Sequence, residues 1–234
     1  DVYKRLHELN TSNEALAMSV SYQDIRERLY SAVVCDALDT LGYPNQSPRI
    51  PLAPITCPEK TLVGRCKTTL WTDMAHEDPH PYELELKAVD ECQPDDVFIA
   101  ATGGSMRSAV WGELLTTAAM NGGCVGAIVD GAVRDVARMS QMHFPVFALG
   151  RLPYDSLNRQ RVVDLDVPVE IDGVAFSPGD LVIADLDGVV VVPQQVEADV
   201  LRAAWEKVDG ENTTREAIRG GMQATEAFRK YGVL

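Results

Sequence analysis

The sequence predicts a single α/β domain with a mixed sheet, β-hairpins in its second half and helices at both ends. In the first part of the chain, apolar strand-like runs alternate with helical segments, a pattern typical of parallel strands joined by helices. Further on, two apolar runs turn back on themselves, at Asp172-Gly173 and at Asp187-Gly188. Asp-Gly between apolar runs is a strong hairpin signal, so the sheet is expected to combine both strand directions.

Composition limits the class of protein. The chain has 234 residues, 46% of them hydrophobic, which is enough for one large domain with a buried core. Acidic residues outnumber basic ones by 35 to 21, a net charge of −14, so binding to nucleic acid or to an anionic membrane is not expected. Five cysteines without a CxxC pair, and the lack of a signal-peptide pattern, favour a reduced cytoplasmic setting.

The N-terminal part is predicted to be helical. Helices are expected over 3–9 and 22–41, with Ser21 and Ser31 as N-caps and Gly42 at the end of the second helix. We assign residues 1–21 to an N-terminal helical extension and residues 22–234 to the α/β domain with its helical tail.

The elements of the domain follow in order. A proline-rich stretch after Gly42 is expected to be an extended connection. The remaining predicted elements are a strand in 61–71, a helix and a strand in 80–104, a helix in 112–123, strands in 124–131 and 145–150, and the two hairpins in 167–180 and 180–193. The tail from Gln194 to Tyr231 is predicted to be helical, with breaks at Gly210 and at Gly220-Gly221.

The candidate site lies at the two ends of the helix predicted over 112–123 and the strand that follows it. Gly112 opens that helix, whose first turn is Glu113-Leu114-Leu115, and the first amides of a helix form a seat for a small carboxylate or phosphate. The strand leads into Arg134, a planar cation suited to a carboxylate or enolate, and Asp135, an oxygen ligand suited to Mg²⁺. The simpler interpretation is that Asp135 caps the next helix while Arg134 lies in solvent.

Other residues offer weaker alternatives. Lys67 could form a Schiff base, although solvent exposure on one sheet face explains this lysine more simply. His76, Asp78 and His80 in HEDPH could bind a metal, or could form a polar connection or a lid. The pocket for the distal half of a substrate is not identified by the sequence, and three arginines could each meet a distal carboxylate: Arg107, Arg138 and Arg151.

Five segments together resemble a known family, that of the ribonuclease E activity regulator and 4-hydroxy-4-methyl-2-oxoglutarate aldolase. The resemblance covers nearly everything from about residue 22 onward and is most specific from Gly112 to Asp135. The segments are VCDALDTLG (34–42), GGSMRSAVWGELLTTAAMNGGCVGAIVDGAVRD (103–135), FPVF (144–147), SPGDLVIADLDGVVVVP (177–193) and KVDGENTTREAIRGG with EAFRKYGVL (207–221 and 226–234).

The resemblance implies an α/β swivelling fold and assembly as trimers or hexamers, with active sites between subunits. It implies a pyruvate aldolase dependent on Mg²⁺ or Mn²⁺ that cleaves a 4-hydroxy-2-oxo acid and also decarboxylates oxaloacetate. In such enzymes Arg134 would contact the substrate and stabilise the enolate, Asp135 would bind the metal, and Glu211 of an adjacent subunit would help hold water beside it. Backbone amides of the helix start would bind pyruvate, at Gly112, Glu113, Leu114 and Leu115.

A rival function within the same family is that of a non-catalytic regulator that binds a ribonuclease. The regulator branch resembles this fold but lacks the metal-binding Asp and the acidic residue of the helix start. This sequence has both, as Asp135 and Glu113, which favours the enzyme. Glu113 stands where the aldolases usually carry Asp, and the longer side chain could alter substrate preference.

Overall fold

The computed structural model describes residues 21–233, so the helix predicted over 3–9 lies outside the described residues. A short 3-10 turn, Gln194–Val196, precedes the long C-terminal helix. The α-helices are α1 (Tyr22–Arg28), α2 (Ser31–Thr40), α3 (Glu83–Asp90), α4 (Glu113–Asn121), α5 (Val136–Gln141), α6 (Glu197–Arg219) and α7 (Ala224–Tyr231).

The strands form one large sheet and one separate hairpin. They are β1 (Ala53–Thr56), β2 (Leu62–Asp73), β3 (Asp96–Ala101), β4 (Ala109–Trp111), β5 (Gly126–Val133), β6 (Val146–Arg151), β7 (Gln160–Leu165), β8 (Val169–Ile171), β9 (Val174–Phe176), β10 (Leu181–Asp185) and β11 (Gly188–Val192). The large sheet has the order β1-β6-β5-β3-β2-β10-β11, with β4 paired to β5 and β7 paired to β2, while β8 and β9 pair with each other.

The direction of the strands determines where a site can form. Strands β2, β3, β5 and β6 are parallel, and β4 is parallel to β5, so their carboxyl ends lie at one edge of the sheet. Strands β1, β7, β10 and β11 each pair antiparallel with a neighbour. The predicted mixed α/β class, the hairpins of the second half and the C-terminal helices are therefore confirmed.

Apolar side chains cover both faces of the sheet. On one face Phe98 and Trp111 pack with helices α3, α4 and α5, and their ring centroids are 4.5 Å apart. On the other face Ile99 and Ile128 pack against the β8–β9 hairpin. A third cluster joins α1, α2 and α6 to β10 and β11. Because alternate residues of β3 enter opposite cores, the strand is apolar throughout, as is typical of a buried parallel strand.

The structure corrects the predicted hairpin and helix boundaries. The β8–β9 hairpin turns at Asp172-Gly173 as predicted, because Ile171 pairs with Val174. In the β10–β11 hairpin Asp185 pairs with Gly188, so the loop is Leu186-Asp187 and the predicted turn was wrong by one residue.

Two predictions about helices also change. Ser21 caps α1 in a capping box with Asp24, as predicted, but the helix expected over 22–41 is divided at Leu29 and Tyr30. Ser31 is not a cap. It is the first residue of α2, and its hydroxyl and amide donate to Asp185 at 2.6 and 2.7 Å.

The long helix α6 passes through Gly210 without the predicted break. A glycine inside a helix costs only about 1 kcal/mol, and the buried side chains of Val208 and Thr214 hold this part of α6 in place. The break at Gly220-Gly221 is confirmed. No helix among residues 21–233 combines the length and the apolar character needed to cross a membrane.

Candidate active site

The candidate site forms where two adjacent parallel strands end. Gly112 follows the last residue of β4, Trp111, and Arg134 follows the last residue of β5. The Arg134 amide donates to the Trp111 carbonyl at 2.9 Å, which extends the pairing of the two strands to their ends. The structure thus brings together Gly112 and Arg134-Asp135, as expected if both belong to one site.

Gly112 is in close contact with both partners. A Cβ atom on Gly112 would lie 2.7 Å from Asp135 Oδ2 and 3.1 Å from Arg134 Cγ. The backbone there is extended, with φ of −161°, a conformation open to any residue. Glycine at this position leaves the space that the side chains of Asp135 and Arg134 occupy.

The start of helix α4 was predicted to bind an anion, and its backbone geometry can be described. The amide of Thr116 donates to the Gly112 carbonyl at 3.0 Å and closes the first helical turn. The three preceding amides therefore lack helical partners, and that of Glu113 donates to Asp135 Oδ2 at 3.3 Å. Leu114 is 76% exposed, whereas Leu115 packs against the core and fixes the turn. The amides of Leu114 and Leu115 are thus placed for an external acceptor.

Asp135 is in an unusual conformation and does not cap the helix that follows it. It is the N-cap residue of α5, with a left-handed backbone of φ 56°, and its side chain makes no capping bond. The carboxylate faces the start of α4 instead. The simpler interpretation, a capping Asp beside a solvent-exposed Arg, is therefore wrong for Asp135. Left-handed non-glycine residues cost about 1 kcal/mol or more and are frequent at functional sites.

Arg134 is fixed by a partner that the sequence analysis missed. Its Nη2 lies 3.0 Å from Asp155 Oδ2, whereas its Nε lies 3.8 Å from Oδ2 of the neighbouring Asp135. Asp155 Oδ1 also accepts the Tyr82 hydroxyl at 3.1 Å and the Leu157 amide at 3.0 Å. Partial burial tends to raise the pKa of Asp155, but the Leu157 amide, Arg134 and Tyr82 outweigh it and lower that pKa below its ordinary value.

A second carboxyl group, that of Glu85, lies near Asp155. Glu85 of α3 is only 7% exposed, and the Ser156 hydroxyl lies 3.4 Å from its Oε2. Burial and the negative charge of Asp155 raise the pKa of Glu85 to about 8, against the smaller opposing effects of Ser156 and Arg134. Glu85 is thus mostly protonated at neutral pH.

The strand predicted over 145–150 and the loop after it could have pointed to Asp155 if the strand had been placed next to β5. Strand β6 is parallel to β5, so the loop after β6 lies at the same edge of the sheet as Arg134. Asp155 stands in that loop, and a bridge between Asp155 and Ala109 ties the loop to β4.

Two predicted acidic residues have their own partners. Glu113 Oε1 accepts the Thr117 hydroxyl at 3.2 Å, one turn along the same helix. Glu211 of α6 accepts the Tyr30 hydroxyl and lies 3.6 Å from Arg215 Nη2, within the helical layer formed by α2 and α6. Burial and Glu211 together raise the pKa of Tyr30 to about 12. A role for Glu211 in the site of a neighbouring subunit stays a prediction.

Lys67 and Asp78, which belong to the two alternative sites, are each held in an ion pair. Lys67 is 8% exposed, and its ammonium lies 2.7 Å from Asp166, so the expected solvent exposure of Lys67 was wrong. An ammonium held in this way by a carboxylate is poorly placed to attack a substrate carbonyl as an amine. In the HEDPH segment, Asp78 pairs with Arg161 at 3.0 Å and also accepts the His80 amide, which fits a polar connection.

Asp135 fits a divalent cation site with few protein ligands. Its side chain is 42% exposed and presents oxygens, the donor type that Mg²⁺ prefers. Within residues 21–233, three or more His, Cys, Asp or Glu side chains do not converge in an arrangement that could hold a metal. Mg²⁺ commonly takes one or two carboxylates and completes its shell with water and substrate oxygens, so the residues fit a cation of this kind.

Comparisons with known proteins bear on the family of this chain. The family model described as RraA-like, Aldolase/RraA, matches residues 31–191. The chain is 33% identical over 143 residues to a Halalkalibacterium halodurans protein named "Putative 4-hydroxy-4-methyl-2-oxoglutarate aldolase", covering 61% of this chain and 68% of that protein. It is 27% identical over 224 residues to protein DlpA of Legionella pneumophila, covering 94% of this chain and 36% of DlpA.

A solved structure from the other branch is also similar. The crystal structure of Streptomyces coelicolor RraAS2, titled an unusual member of the RNase ES inhibitor RraA protein family, matches with a TM-score of 0.71 and 30% identity. The match covers 80% of this chain and 92% of RraAS2. The family-model match of residues 31–191 includes the whole cluster from Gly112 to Asp135. The chain therefore belongs to the RraA-like, Aldolase/RraA family.

Proposed function

We propose that this protein is a divalent-metal-dependent aldolase. Its substrate would be a 4-hydroxy-2-oxo acid, such as 4-hydroxy-4-methyl-2-oxoglutarate or 4-carboxy-4-hydroxy-2-oxoadipate, and its products pyruvate and a second oxo acid. The observation that carries the proposal is the cluster in which Gly112 leaves space for Arg134 and Asp135 beside the first amides of α4. The aldolase name of the relative that is 33% identical supports the same reaction class.

The chain's own residues can bind and orient the pyruvyl half of the substrate. The outward amides of Leu114 and Leu115, at the positive end of the α4 dipole, would donate hydrogen bonds to the substrate carboxylate. Arg134, held at one edge by Asp155, would direct its remaining N–H groups toward the keto oxygen. A Mg²⁺ or Mn²⁺ ion held by Asp135 would, when bound, supply Lewis-acid polarisation of the keto group.

In the proposed reaction, negative charge develops on the oxygen of the pyruvate enolate. The 4-hydroxyl loses its proton, the C3–C4 bond breaks to give the carbonyl of the second oxo acid, and its electron pair becomes the enolate of pyruvate. Arg134 is placed to stabilise the enolate oxygen, and hydrogen-bond donors already in position stabilise such charge most effectively. A proton added at C3 completes pyruvate. Loss of CO₂ from oxaloacetate gives the same enolate, so the proposal includes that decarboxylation.

The general base of the proposed reaction requires residues from two subunits. Water held by Glu113 and by Glu211 of a neighbouring subunit would accept the hydroxyl proton. Glu211 lies in the helical layer of its own chain, bonded to Tyr30, so the proposal requires an oligomer, a trimer or hexamer, that brings this layer to the site of the next subunit.

The test is metal-dependent formation of the pyruvate enolate. The protein is incubated with pyruvate in D₂O, with and without Mg²⁺ or Mn²⁺, and the loss of the methyl proton signal is followed by NMR. We expect exchange that requires the metal and falls at least about 100-fold in Asp135→Asn and in Arg134→Ala. Arg202→Ala, on the exposed surface of α6, is the matched arginine control and should exchange at the rate of the unmodified protein.

The same experiment distinguishes the aldolase from the rival function. Similarity to RraAS2 favours a non-catalytic ribonuclease regulator as the second candidate. Absence of exchange with both metals, together with inhibition of a ribonuclease of the E type by the purified protein, would replace the aldolase proposal with the regulator.

A further inference from the structure

Two carboxylates, those of Asp135 and Asp155, lie near the guanidinium of Arg134. The guanidinium contacts Asp155 more closely, although Asp135 is its neighbour in the sequence. Asp135 is its neighbour in the chain, but the separation is 3.8 Å, from Nε to Oδ2. The contact with Asp155 is 3.0 Å, from Nη2 to Oδ2. In the proposed site an Arg134 paired tightly with Asp135 would compete with a cation for that carboxylate. Asp155 draws the guanidinium away from Asp135.

Asp155 is itself held firmly enough to serve as an anchor. The Tyr82 hydroxyl and the Leu157 amide both donate to its Oδ1, which leaves Oδ2 for Arg134. The backbone next to Asp155 is also fixed, because the Ala109 amide donates to the Tyr154 carbonyl at 2.9 Å. Ala109 begins β4, the strand that ends just before Gly112, so the anchor and the anion seat are attached to the same short strand.

The charges around Asp155 favour the same arrangement. Three ionisable side chains lie around Asp155. Arg134 is the positive one, and Glu85 of α3 and Tyr82 are the two that would carry negative charge if they lost a proton. Glu85 is buried, and its raised pKa of about 8 keeps it mostly neutral at neutral pH. The partly exposed pair of Arg134 and Asp155 then contains one positive and one negative charge, and a neutral Glu85 does not compete for Arg134.

We propose that Asp155 is a positioning residue, which with Tyr82 holds the Arg134 guanidinium toward the seat at the start of α4 and away from the Asp135 carboxylate. Its effect on turnover rests on the proposed function. Its effect on the orientation of Arg134 does not, and the experiment measures both.

The test compares Asp155→Asn, Tyr82→Phe and the control Asp164→Asn. Asparagine keeps an oxygen for the Tyr82 and Leu157 donors, so Asp155→Asn removes the charge while preserving the fold. Asp164 is an exposed aspartate that also accepts a backbone amide, and its replacement should change neither readout. One readout is metal-dependent exchange of pyruvate protons, separated into kcat and KM; the other is the ¹⁵N–¹H spectrum of the arginine side chains, with the Arg134 signals assigned by their loss in Arg134→Lys.

We expect Asp155→Asn to lower kcat by about 10- to 100-fold with a smaller change in KM, because a misplacement of about 1 Å can cost that much. Tyr82→Phe should lower kcat less than Asp155→Asn does, and Asp155→Glu should recover part of the loss. In the spectra, the separate Nη signals of Arg134 should merge in Asp155→Asn as the guanidinium begins to rotate freely.

Two results would overturn the inference: unchanged kcat in Asp155→Asn of an active protein, or Arg134 signals identical to those of the unmodified chain. If the unmodified protein exchanges no pyruvate, the proposed function fails, and the spectra alone then decide whether Asp155 positions Arg134.

Discussion

Replacement of Glu85 by glutamine should reduce the loss of folding stability that occurs as the pH rises. Glu85 is 7% exposed, and its pKa is raised from an ordinary value of 4.5 to about 8 in the folded chain. Between those values the folded protein keeps a proton that the unfolded chain releases. Stability from this residue is therefore fully present below the ordinary pKa and is lost as the pH rises through the folded pKa.

The size of the effect follows from the shift. Each pH unit in this interval costs about 1.4 kcal/mol of unfolding free energy, so the loss from about pH 5 to about pH 8 is of the order of 3 kcal/mol. Glutamine has nearly the same shape as protonated glutamate and does not titrate. Other ionisable groups, including Asp155 and Arg134 beside it, contribute to both proteins and largely cancel in the difference.

The assay is urea unfolding of the unmodified protein and of Glu85→Gln at several pH values across this range. Exposed Glu83 on the same helix provides the control variant, Glu83→Gln, which should follow the unmodified protein. We expect the difference in unfolding free energy between Glu85→Gln and the unmodified protein to grow in favour of the variant as the pH rises. Parallel pH profiles would refute the reasoning, because they would mean that Glu85 ionises in the folded chain as easily as in water.

Two further predictions concern the site itself. Gly112→Ala would place a Cβ 2.7 Å from Asp135 Oδ2 and should reduce pyruvate exchange by about 100-fold, with little loss of stability because a carboxylate that is 42% exposed can move aside. Gly150→Ala, whose Cβ would meet only the flexible end of Met106, is its control, and equal activity of the two variants would contradict the steric explanation. Borohydride added with pyruvate should leave the protein's mass unchanged, since Lys67 is ion-paired; a stable adduct on Lys67 would show a Schiff base instead.

Much of the fold could be predicted from the sequence because the elements that carry the core have strong local patterns. The runs within β3, β5 and β6 are largely apolar and are preceded by proline or glycine, and β2 is rich in β-branched residues. The strands that were missed, β1, β4 and β7, lack such patterns. Strand β4 has three residues and forms only because β5 offers its edge, and β1 contains Pro54 within a proline-rich stretch. Their pairing depends on neighbours far along the chain, which a local pattern does not report.

Some residues of the candidate site could be predicted from the sequence and others could not. The positions of Gly112, Arg134 and Asp135 follow from strand ends and from resemblance, and the structure places them together. The roles of Asp155 and Glu85 depend on tertiary contacts between α3, β4 and the loop after β6. A glutamate inside a helical segment is normally a surface residue, and nothing in the sequence around Glu85 indicates that it is buried.

The short sequence separation between Gly112 and Asp135 has a consequence for the order in which the site folds. The anion seat, the guanidinium and the carboxylate all belong to residues 109–135, which contain β4, α4 and β5 and whose mutual contacts close over a short stretch of chain. Contacts of this kind carry a small entropy cost of loop closure and tend to form early. The anchor at Asp155 comes from a later segment and requires β6 to be in place. The seat is thus expected to form before Arg134 is aligned within it, so a slow final step in refolding should restore activity after the tryptophan signal of Trp111 has already reached its native value.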